Sequence, residues 1–151
     1  MSHTIATATE ADLRDLLELM RAYCDFYEVA PSDDALLALS RALLADPERE
    51  GIQLIARGDD GHGIGFATVF WTWQTLDAAP CAVMNDLYVD DAARGTGLAR
   101  ALIAECRERA TAHGAASLVW QTAKTNRRAQ KLYDRIGGHR SDEWLDYSLG
   151  A

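Results

Sequence analysis

The sequence predicts an α/β fold with a mixed, mostly antiparallel central sheet and helices on both of its faces. Three observations predict this class. Apolar residues recur at helical spacing over residues 13–27, two strand-like segments flank a glycine-rich turn at residues 59–63, and strand and helix patterns alternate from residue 81 onward. The predicted order of elements is α-α-β-β-β-α-β-α-β, and residues 1–151 are expected to form one domain.

The predicted helices carry start and stop signals. Thr9 and Asp12 fit a capping box ahead of the first apolar stripe, and Ser32 precedes the second helix. Gly114 and Gly137-Gly138 follow the last two helices, where a left-handed glycine commonly ends a helix. The four helices are predicted from Leu13 to Tyr27, between Ser32 and Asp46, from about Leu98 to Ala112, and from Asn126 to Ile136.

The predicted strands are short β-type runs between turn residues. The turn at residues 59–63 makes a hairpin of the first two strands, and the last two strands belong to β-α-β units. The five strands are predicted at Gly51–Arg57, Ile64–Trp73, Cys81–Val89, Ser117–Thr122 and Trp144–Leu149.

Composition and charge exclude several classes of function. The 48% hydrophobic and 25% charged content is typical of a globular chain. The net charge of −8 argues against general nucleic-acid binding, which needs a basic face for phosphates. The charge is divided unevenly, since residues 1–93 hold 5 Arg and 17 Asp or Glu whereas residues 94–151 hold 10 Lys or Arg and 6 Asp or Glu. The first part therefore suits a cationic partner and the second an anionic one.

The sequence also predicts a cytoplasmic location. No apolar run reaches the length of a membrane span, and the first residues have neither a basic region nor an apolar core like those of a secretory signal. Cys24, Cys81 and Cys106 are odd in number and lack metal-ligand spacing, so we expect reduced cysteines and no metal site.

The turn after the third strand is the first candidate for chemistry. It reads Arg94-Gly95-Thr96-Gly97-Leu98-Ala99 and opens a helix. Two glycines let the backbone approach a ligand closely, and free N–H groups at a helix start favour a pyrophosphate. Arg94 is placed to add a charged contact. A glycine-rich turn that only makes a tight connection is the alternative, and the segment matches neither common nucleotide-binding fingerprint.

Two segments resemble one known family. Residues 85–103, NDLYVDDAARGTGLARALI, resemble the acetyl-CoA-binding motif of the GNAT N-acetyltransferase superfamily, and residues 120–138, WQTAKTNRRAQKLYDRIGG, resemble its second motif. The order of the elements is similar as well, so the resemblance covers nearly the whole chain. It implies a GNAT fold, acetyl-CoA as the cofactor, and direct transfer to an amine without an acyl-enzyme. Because relatives are often dimers, a homodimer is left open.

The resemblance also implies roles for individual residues. Tyr133, at the position of the family's tyrosine, would be the general acid that protonates the departing thiolate. Backbone N–H groups near Leu87, Tyr88 and Val89 would polarise the thioester carbonyl, where the strand splays in relatives. Asn126 matches an asparagine beside the cofactor, and it is also a helix N-cap candidate.

The general base is where this sequence departs from the family pattern. Many relatives carry a glutamate four or six residues before the valine that corresponds to Val89, and those positions here are Asn85 and Val83. Asp86 is the adjacent carboxylate, but strand alternation alone turns it to the opposite face. The alternatives are ordered water oriented by Asn85, or a carboxylate from the first helices.

The acceptor is expected to be a small cationic amine, a polyamine or a lysine-like group. Carboxylates interleaved with aromatic residues suit an ammonium ion. Residues 66–89 are also similar to the corresponding part of diamine and polyamine N-acetyltransferases. The expected acceptor-binding residues are Tyr27, Glu28, Trp71, Trp73 and Asp86.

The sequence also fits other functions. A protein or peptide amine is an alternative acceptor, and Trp71 and Trp73 share a strand face that ordinary sheet packing also explains. The missing strand glutamate favours a different class, a non-catalytic acyl-CoA sensor or interaction module. Neither a nucleic acid nor a membrane is expected as a partner.

Overall fold

The computed structural model describes residues 2–151 and contains five strands and four α-helices within them. The strands are β1 (His3–Thr7), β2 (Gly51–Gly58), β3 (Gly63–Gln74), β4 (Ala79–Val89) and β5 (Ser117–Val119), and the helices are α1 (Leu13–Phe26), α2 (Asp33–Ala45), α3 (Leu98–His113) and α4 (Arg127–Arg135). Short 3-10 turns precede α1 and follow β4.

The strands form one sheet in the order β1-β2-β3-β4-β5. The first three pairings are antiparallel, and only β4 and β5 run parallel. A parallel pair needs a crossover, which α3 supplies between β4 and β5. The prediction of a mixed, mostly antiparallel sheet is therefore confirmed.

The helices of the N-terminal part cover both faces of this sheet. Phe66 of β3 packs in one apolar cluster with Leu16 and Met20 of α1, and α2 adds Leu36 and Leu44 to the same cluster. On the opposite face, the Cα of Gly65 approaches α3 so closely that a Cβ there would contact Leu98 and Leu102. Even-numbered β3 residues from 66 to 72 therefore face α1 and α2, and odd-numbered ones face α3.

Local capping fixes where the helices begin. The Thr9 backbone N–H and hydroxyl both donate to the Asp12 carboxylate, at 2.8 and 3.0 Å. The Ser32 hydroxyl accepts from the Ala35 N–H at 3.2 Å, and Asn126 accepts from the Ala129 N–H at 3.1 Å. These contacts confirm the predicted helix starts, because each satisfies a donor that the helix itself leaves open.

The pairing of β3 with β4 contains one irregularity. Thr68 pairs with Asp86, but the next residue of β3, Val69, pairs with Met84, so Asn85 is an extra residue in β4. This is a β-bulge, which shifts the alternation of side chains on the bulged strand by one residue. The consequence for the functional site is described below.

Two sequence predictions differ from the structure at the chain ends. The structure adds β1, a five-residue edge strand whose only large apolar residue is Ile5, so its sequence has almost no alternation to detect. The predicted strand at Trp144–Leu149 is wrong, because these residues adopt no regular secondary structure and Leu145, Tyr147 and Leu149 are exposed. Alternation describes one face of a strand, but a strand also needs a partner edge to pair with.

The contacts within the chain group it into two compact units. The first ends at Gln121 and contains the sheet with α1, α2 and α3, and the second runs from Thr122 to Ala151 and contains α4. In the second unit, Gly137 has a φ of +83° and the Gly138 N–H donates to the Tyr133 carbonyl at 2.8 Å. This geometry confirms the predicted left-handed cap. The expectation that residues 1–151 form one domain stays a prediction.

Gly51 is a position at which the sheet has no room for a side chain. Its φ is +143°, and a Cβ would overlap the Val69 carbonyl and contact the Phe70 backbone. We expect Gly51→Ala to lower the free energy of unfolding by more than about 2 kcal/mol, because strand backbone must move. Urea denaturation measures this. The control is Gly61→Ala, which has a φ of +79° but open space around it and should cost only about 1 kcal/mol. Equal losses for the two variants would contradict the overlap.

Candidate active site

The glycine-rich turn adopts the open conformation that the sequence predicts. Gly95 and Gly97 have φ values of +79° and +87°, and no atom lies within 4 Å of a Cβ built on either. Ala93 and Leu98 anchor the turn in the core on both sides, and the Thr96 hydroxyl donates to the Ala93 carbonyl at 2.6 Å. The buried residues on either side therefore hold the turn in place, and the space around its two glycines has room for a ligand.

The start of α3 provides hydrogen-bond donors at this turn. Gly97 is the N-cap and has no side chain, so no side-chain cap satisfies the first N–H groups of the helix. The first turn, which includes Leu98 and Ala99, therefore presents backbone donors and the positive end of the helix dipole. These residues fit a pyrophosphate such as that of acetyl-CoA.

Arg94 makes two contacts within the protein at this turn. Its Nε donates to the Val89 carbonyl at 3.2 Å, and its Nη1 pairs with the Asp91 carboxylate at 2.5 Å. The guanidinium thereby braces the turn against the end of β4. A phosphate contact from Arg94 stays a prediction, and it would compete with the exposed Asp91.

The edge of β4 that pairs with β5 has no partner strand near the C-terminal end of β4 among the described residues. Pairing with β5 covers only Cys81 to Val83, and β5 ends at Val119, whereas β4 continues to Val89. No strand among residues 2–151 pairs with this edge beyond Val83. This edge of β4 is therefore unpaired from Met84 to Val89 among the strands of the described residues, and the predicted splay of the strand stays a prediction.

Backbone alternation decides which N–H groups point to the open edge. The Asp90 N–H donates to the Ile64 carbonyl at 2.9 Å, so Asp90 bonds toward β3. In an antiparallel ladder the next residue points away, so Tyr88 also bonds toward β3, while Leu87 and Val89 point to the open edge. Of the three residues predicted to polarise a carbonyl, Leu87 and Val89 have the suitable direction and Tyr88 does not.

The bulge at Asn85 places Asp86 on the face that carries α1. Asp86 pairs with Thr68, whose hydroxyl accepts from Gln53, and the same Gln53 amide lies 3.5 Å from the Met20 sulfur of α1. Val83 pairs with Phe70 and lies on this same face. The expectation that simple alternation turns Asp86 to the face opposite Val83 is therefore wrong, because the extra residue returns Asp86 to the face of Val83.

Asn85 is exposed and hydrogen-bonds to its neighbour. Its Nδ2 donates to the Asp86 Oδ1 at 3.1 Å. This contact orients the carboxylate directly. The alternative role for Asn85, orienting a water, stays a prediction.

An aromatic cluster on the α1 face includes Tyr23, which interacts with Asp86. The Tyr23 ring contacts Phe66 and Tyr88 edge-on, with centroid distances of 5.8 and 6.5 Å, and Tyr27 at 5.1 Å. Burial and then the Asp86 carboxylate raise the pKa of Tyr23 well above its usual range. Burial, with Asp90 and Asp91 nearby, also raises the pKa of Tyr88. Both side chains therefore remain neutral phenols at physiological pH.

The rim of this cluster is apolar and acidic. Phe26 and Tyr27 are 56% and 44% exposed at the end of α1, with ring centroids 5.1 Å apart. Asp25 and Glu28 lie in the same segment, and Glu28 takes a left-handed φ of +58° as the chain leaves the helix. The structure therefore brings predicted acceptor residues Tyr27 and Glu28 to the segment that borders Tyr23.

Trp71 and Trp73 lie on the other face of the sheet. The Trp71 ring stacks on His113 of α3, with centroids 4.1 Å apart, and its Nε1 donates to the Pro47 carbonyl at 2.8 Å. Trp73 shares this face and is 72% exposed. Their placement does not support the predicted acceptor contact, because both point away from the face of Asp86.

Asn126 and Tyr133 lie in the second unit. Asn126 caps α4, which confirms the structural one of its two predicted roles. Tyr133 is half-buried in the middle of α4. Its role as general acid, and that of Asn126 beside the cofactor, stay predictions.

The cysteines lack the features of a nucleophile. Cys81 and Cys106 are fully buried. Burial raises the pKa of Cys106 to about 12. Burial and the carboxylates of Asp86 and Asp25 raise the pKa of Cys24 as well. A thiol with a raised pKa is a poor nucleophile at neutral pH, which is consistent with direct transfer.

No group of three or more His, Cys, Asp or Glu among residues 2–151 is arranged to hold a metal ion. None of the helices formed by these residues is long and apolar enough to cross a bilayer.

The sequence did not predict Tyr23 as a site residue. In the structure its ring contacts three other aromatic rings of the cluster, those of Tyr27, Phe66 and Tyr88. Tyr23 lies on the apolar stripe of α1, where an aromatic residue is typical of a helix core. No local signal marks its hydroxyl, because its partner Asp86 is 63 positions away and reaches this face only through the bulge.

Comparison with known proteins identifies the class to which this fold and site belong. The model of the acetyltransferase (GNAT) family matches residues 14–138. The chain belongs to this family, and it is an acetyltransferase. The predicted GNAT fold and class of enzyme are confirmed.

The chain is similar to several individual N-acetyltransferases. The chain is 29% identical to the uncharacterized N-acetyltransferase YhfO of Bacillus subtilis over 97% of both chains. It is 31% identical to the aminoglycoside N(6')-acetyltransferase type 1 of Serratia marcescens, over 64% of this chain and 67% of that one. The aminoglycoside N-acetyltransferase AAC(6')-Iy, solved in complex with CoA, has a TM-score of 0.85 at 23% identity, covering 99% of this chain and 96% of that one. Relatives of this fold therefore bind CoA, and some act on small amines.

The role of the glycine turn can be separated from its effect on stability. We expect Gly97→Leu to weaken acetyl-CoA binding at least tenfold, because the side chain would fill the open space that the ligand needs. Isothermal titration calorimetry measures the binding. Gly114→Leu is the matched control, since Gly114 ends the same helix with a φ of +89° and equally open surroundings. Both should lose similar stability, and equal acetyl-CoA affinities would contradict a binding role for the turn.

Proposed function

We propose that this protein transfers the acetyl group of acetyl-CoA directly to the primary amine of a small cationic acceptor. The observation that carries the proposal is the bulge at Asn85. It turns the Asp86 carboxylate onto the α1 face, in the same strand whose open edge points the Leu87 and Val89 N–H groups away from the sheet. A proton acceptor and carbonyl-binding donors therefore come from four consecutive residues.

Acetyl-CoA supplies the activated acetyl group as a thioester. The first N–H groups of α3, with Thr96 and the two turn glycines, would hold its pyrophosphate. The Leu87 and Val89 N–H groups would donate to its carbonyl oxygen, where negative charge develops during attack. Because these donors are fixed in a strand, they need no rearrangement when the charge forms.

Asp86 is the general base in this proposal. An ammonium acceptor must lose a proton before its nitrogen can attack, and Asp86 takes that proton. The new bond joins nitrogen to the acetyl carbon, the nitrogen loses its second proton to solvent, and the carbon–sulfur bond breaks. Tyr133 then gives its phenol proton to the leaving thiolate and recovers one from solvent.

The surroundings of Asp86 favour a cationic acceptor. Asp86, Asp25 and Glu28 supply negative charge, and Tyr27 and Phe26 supply aromatic faces for an ammonium ion and its carbon chain. Aminoglycosides, diamines and polyamines all present such groups. The aminoglycoside activity of one relative makes that class a reasonable member of any substrate panel.

An amine panel tests the function. Wild-type protein would be incubated with acetyl-CoA and an aminoglycoside, a diamine, a polyamine, a D-amino acid or a lysine-containing peptide, and free thiol would be measured. We expect turnover with at least one of the small cationic amines. Turnover with the peptide alone would favour a protein acetyltransferase. Cofactor binding without thiol release from any amine would favour an acyl-CoA sensor and contradict the proposal.

Asp86→Asn removes the base while keeping the shape of the side chain. We expect kcat with the fastest amine of the panel to fall about a hundredfold to ten-thousandfold, since an amide cannot take the proton. Acetyl-CoA affinity should stay within about twofold. Steady-state kinetics and calorimetry measure the two quantities. Asp60→Asn makes the same chemical change in the exposed β2–β3 turn and should leave kcat unaltered. Wild-type turnover in Asp86→Asn would assign the base elsewhere.

Tyr133→Phe separates thiolate protonation from binding. We expect kcat to fall about tenfold or more with little change in acetyl-CoA affinity, because only the phenol proton is lost. Tyr147→Phe is the matched control, since Tyr147 is 91% exposed. An unchanged kcat in Tyr133→Phe would mean that the thiolate takes its proton from another donor or from water.

A further inference from the structure

Tyr23 lies on the side of α1 that packs on the sheet, close to both β3 and β4. Its ring contacts Phe66 and Tyr88, which are cross-strand partners of each other, and the next pair on this face is Thr68 with Asp86. Successive pairs on one face of a sheet are separated by about 7 Å. A tyrosine ring fixed on the first pair can therefore direct its hydroxyl at the second.

The ring of Tyr23 has little freedom to leave this position. Phe66 is fully buried, and the Tyr23 ring makes edge-to-face contacts with three rings, those of Phe66, Tyr88 and Tyr27. Each such contact has a preferred geometry, so together they fix the plane of the ring. The direction of the hydroxyl is then set by the fold and needs no bound ligand.

The surroundings of the hydroxyl make it a donor. Burial raises the pKa of Tyr23, and the Asp86 carboxylate raises it further through its charge and a hydrogen bond. A phenol in this state gives up its proton only at high pH. Tyr23 therefore cannot serve as the base, but it can donate a hydrogen bond to a carboxylate that does.

We propose that Tyr23 is a positioning residue that holds the Asp86 carboxylate on the acceptor side of the sheet. This inference rests on the proposed function, in which Asp86 takes the proton of the amine. Asn85 donates to Oδ1 of the same carboxylate. With two donors, the carboxylate is held in one orientation. Tyr23 keeps its own proton throughout the reaction.

Tyr23→Phe tests the inference because the ring contacts remain and only the hydroxyl is lost. With acetyl-CoA and the fastest amine of the panel, we expect kcat to fall about tenfold to a hundredfold, as for loss of a hydrogen bond to a charged group. The KM for acetyl-CoA should stay within about twofold. Tyr147→Phe is again the control for the change from tyrosine to phenylalanine. Wild-type kcat in Tyr23→Phe would overturn the inference.

A double variant separates positioning from a general loss of structure. If Tyr23 acts through Asp86, adding Tyr23→Phe to Asp86→Asn should cause no further loss of kcat. A further tenfold loss in the double variant would mean that Tyr23 acts by another route. If Asp86→Asn alone retains full activity, the proposed base fails, and that outcome is distinct from a failure of Tyr23→Phe.

A spectroscopic readout needs no turnover. Carbon-13 labelling of tyrosine at the ζ position gives one NMR signal for each ring, and loss of a signal in Tyr23→Phe assigns Tyr23. We expect this signal to titrate at lower pH in Asp86→Asn than in the wild type, because the negative charge that stabilises the protonated phenol is gone. An identical titration in both proteins would contradict contact between the two side chains.

Discussion

The arrangement of this site depends on one extra residue in β4. If Asn85 were paired regularly and β4 had no bulge, alternation counted from Val83, which faces α1, would turn the Asp86 carboxylate toward α3. The inserted residue reverses this order within the first unit. It brings a carboxylate under the aromatic residues of α1, and it does so next to the segment of β4 that no longer pairs with β5. The pairing of β3 with β4 therefore places a carboxylate on the α1 face although positions 83 and 85 carry none.

The same strand also connects two regions of opposite character. Its end leads into the glycine turn, where helix N–H groups and Arg94 supply positive potential, and Arg94 ties the turn back to the Val89 carbonyl. Its bulged part faces the acidic and aromatic end of α1. The uneven charge of the sequence, acidic before Arg94 and basic from it onward, has a structural counterpart in these two regions. An anionic cofactor and a cationic acceptor are thus expected at neighbouring segments of one strand.

Most of the fold could be predicted because its signals are local. The Thr9–Asp12 box, the hairpin turn and the glycines after α3 and α4 each act within a few residues. The errors concern features that depend on distant partners. Residues 144–149 alternate, but alternation does not specify a partner edge. Trp71 lies over His113 and not beside Asp86. The bulge follows from the pairing of β3 with β4. Tyr23 could not be singled out for the same reason, since its importance comes from a residue on another element.

The most direct test of this account is amide hydrogen exchange at the end of β4, measured by NMR with and without acetyl-CoA. The account predicts that the Leu87 and Val89 amides exchange quickly in the free protein, because they point to the open edge, and slow markedly when acetyl-CoA is added. Tyr88, which bonds toward β3, should be protected in both states. Unchanged exchange at Leu87 and Val89 in saturating acetyl-CoA would contradict the claim that this edge receives the cofactor.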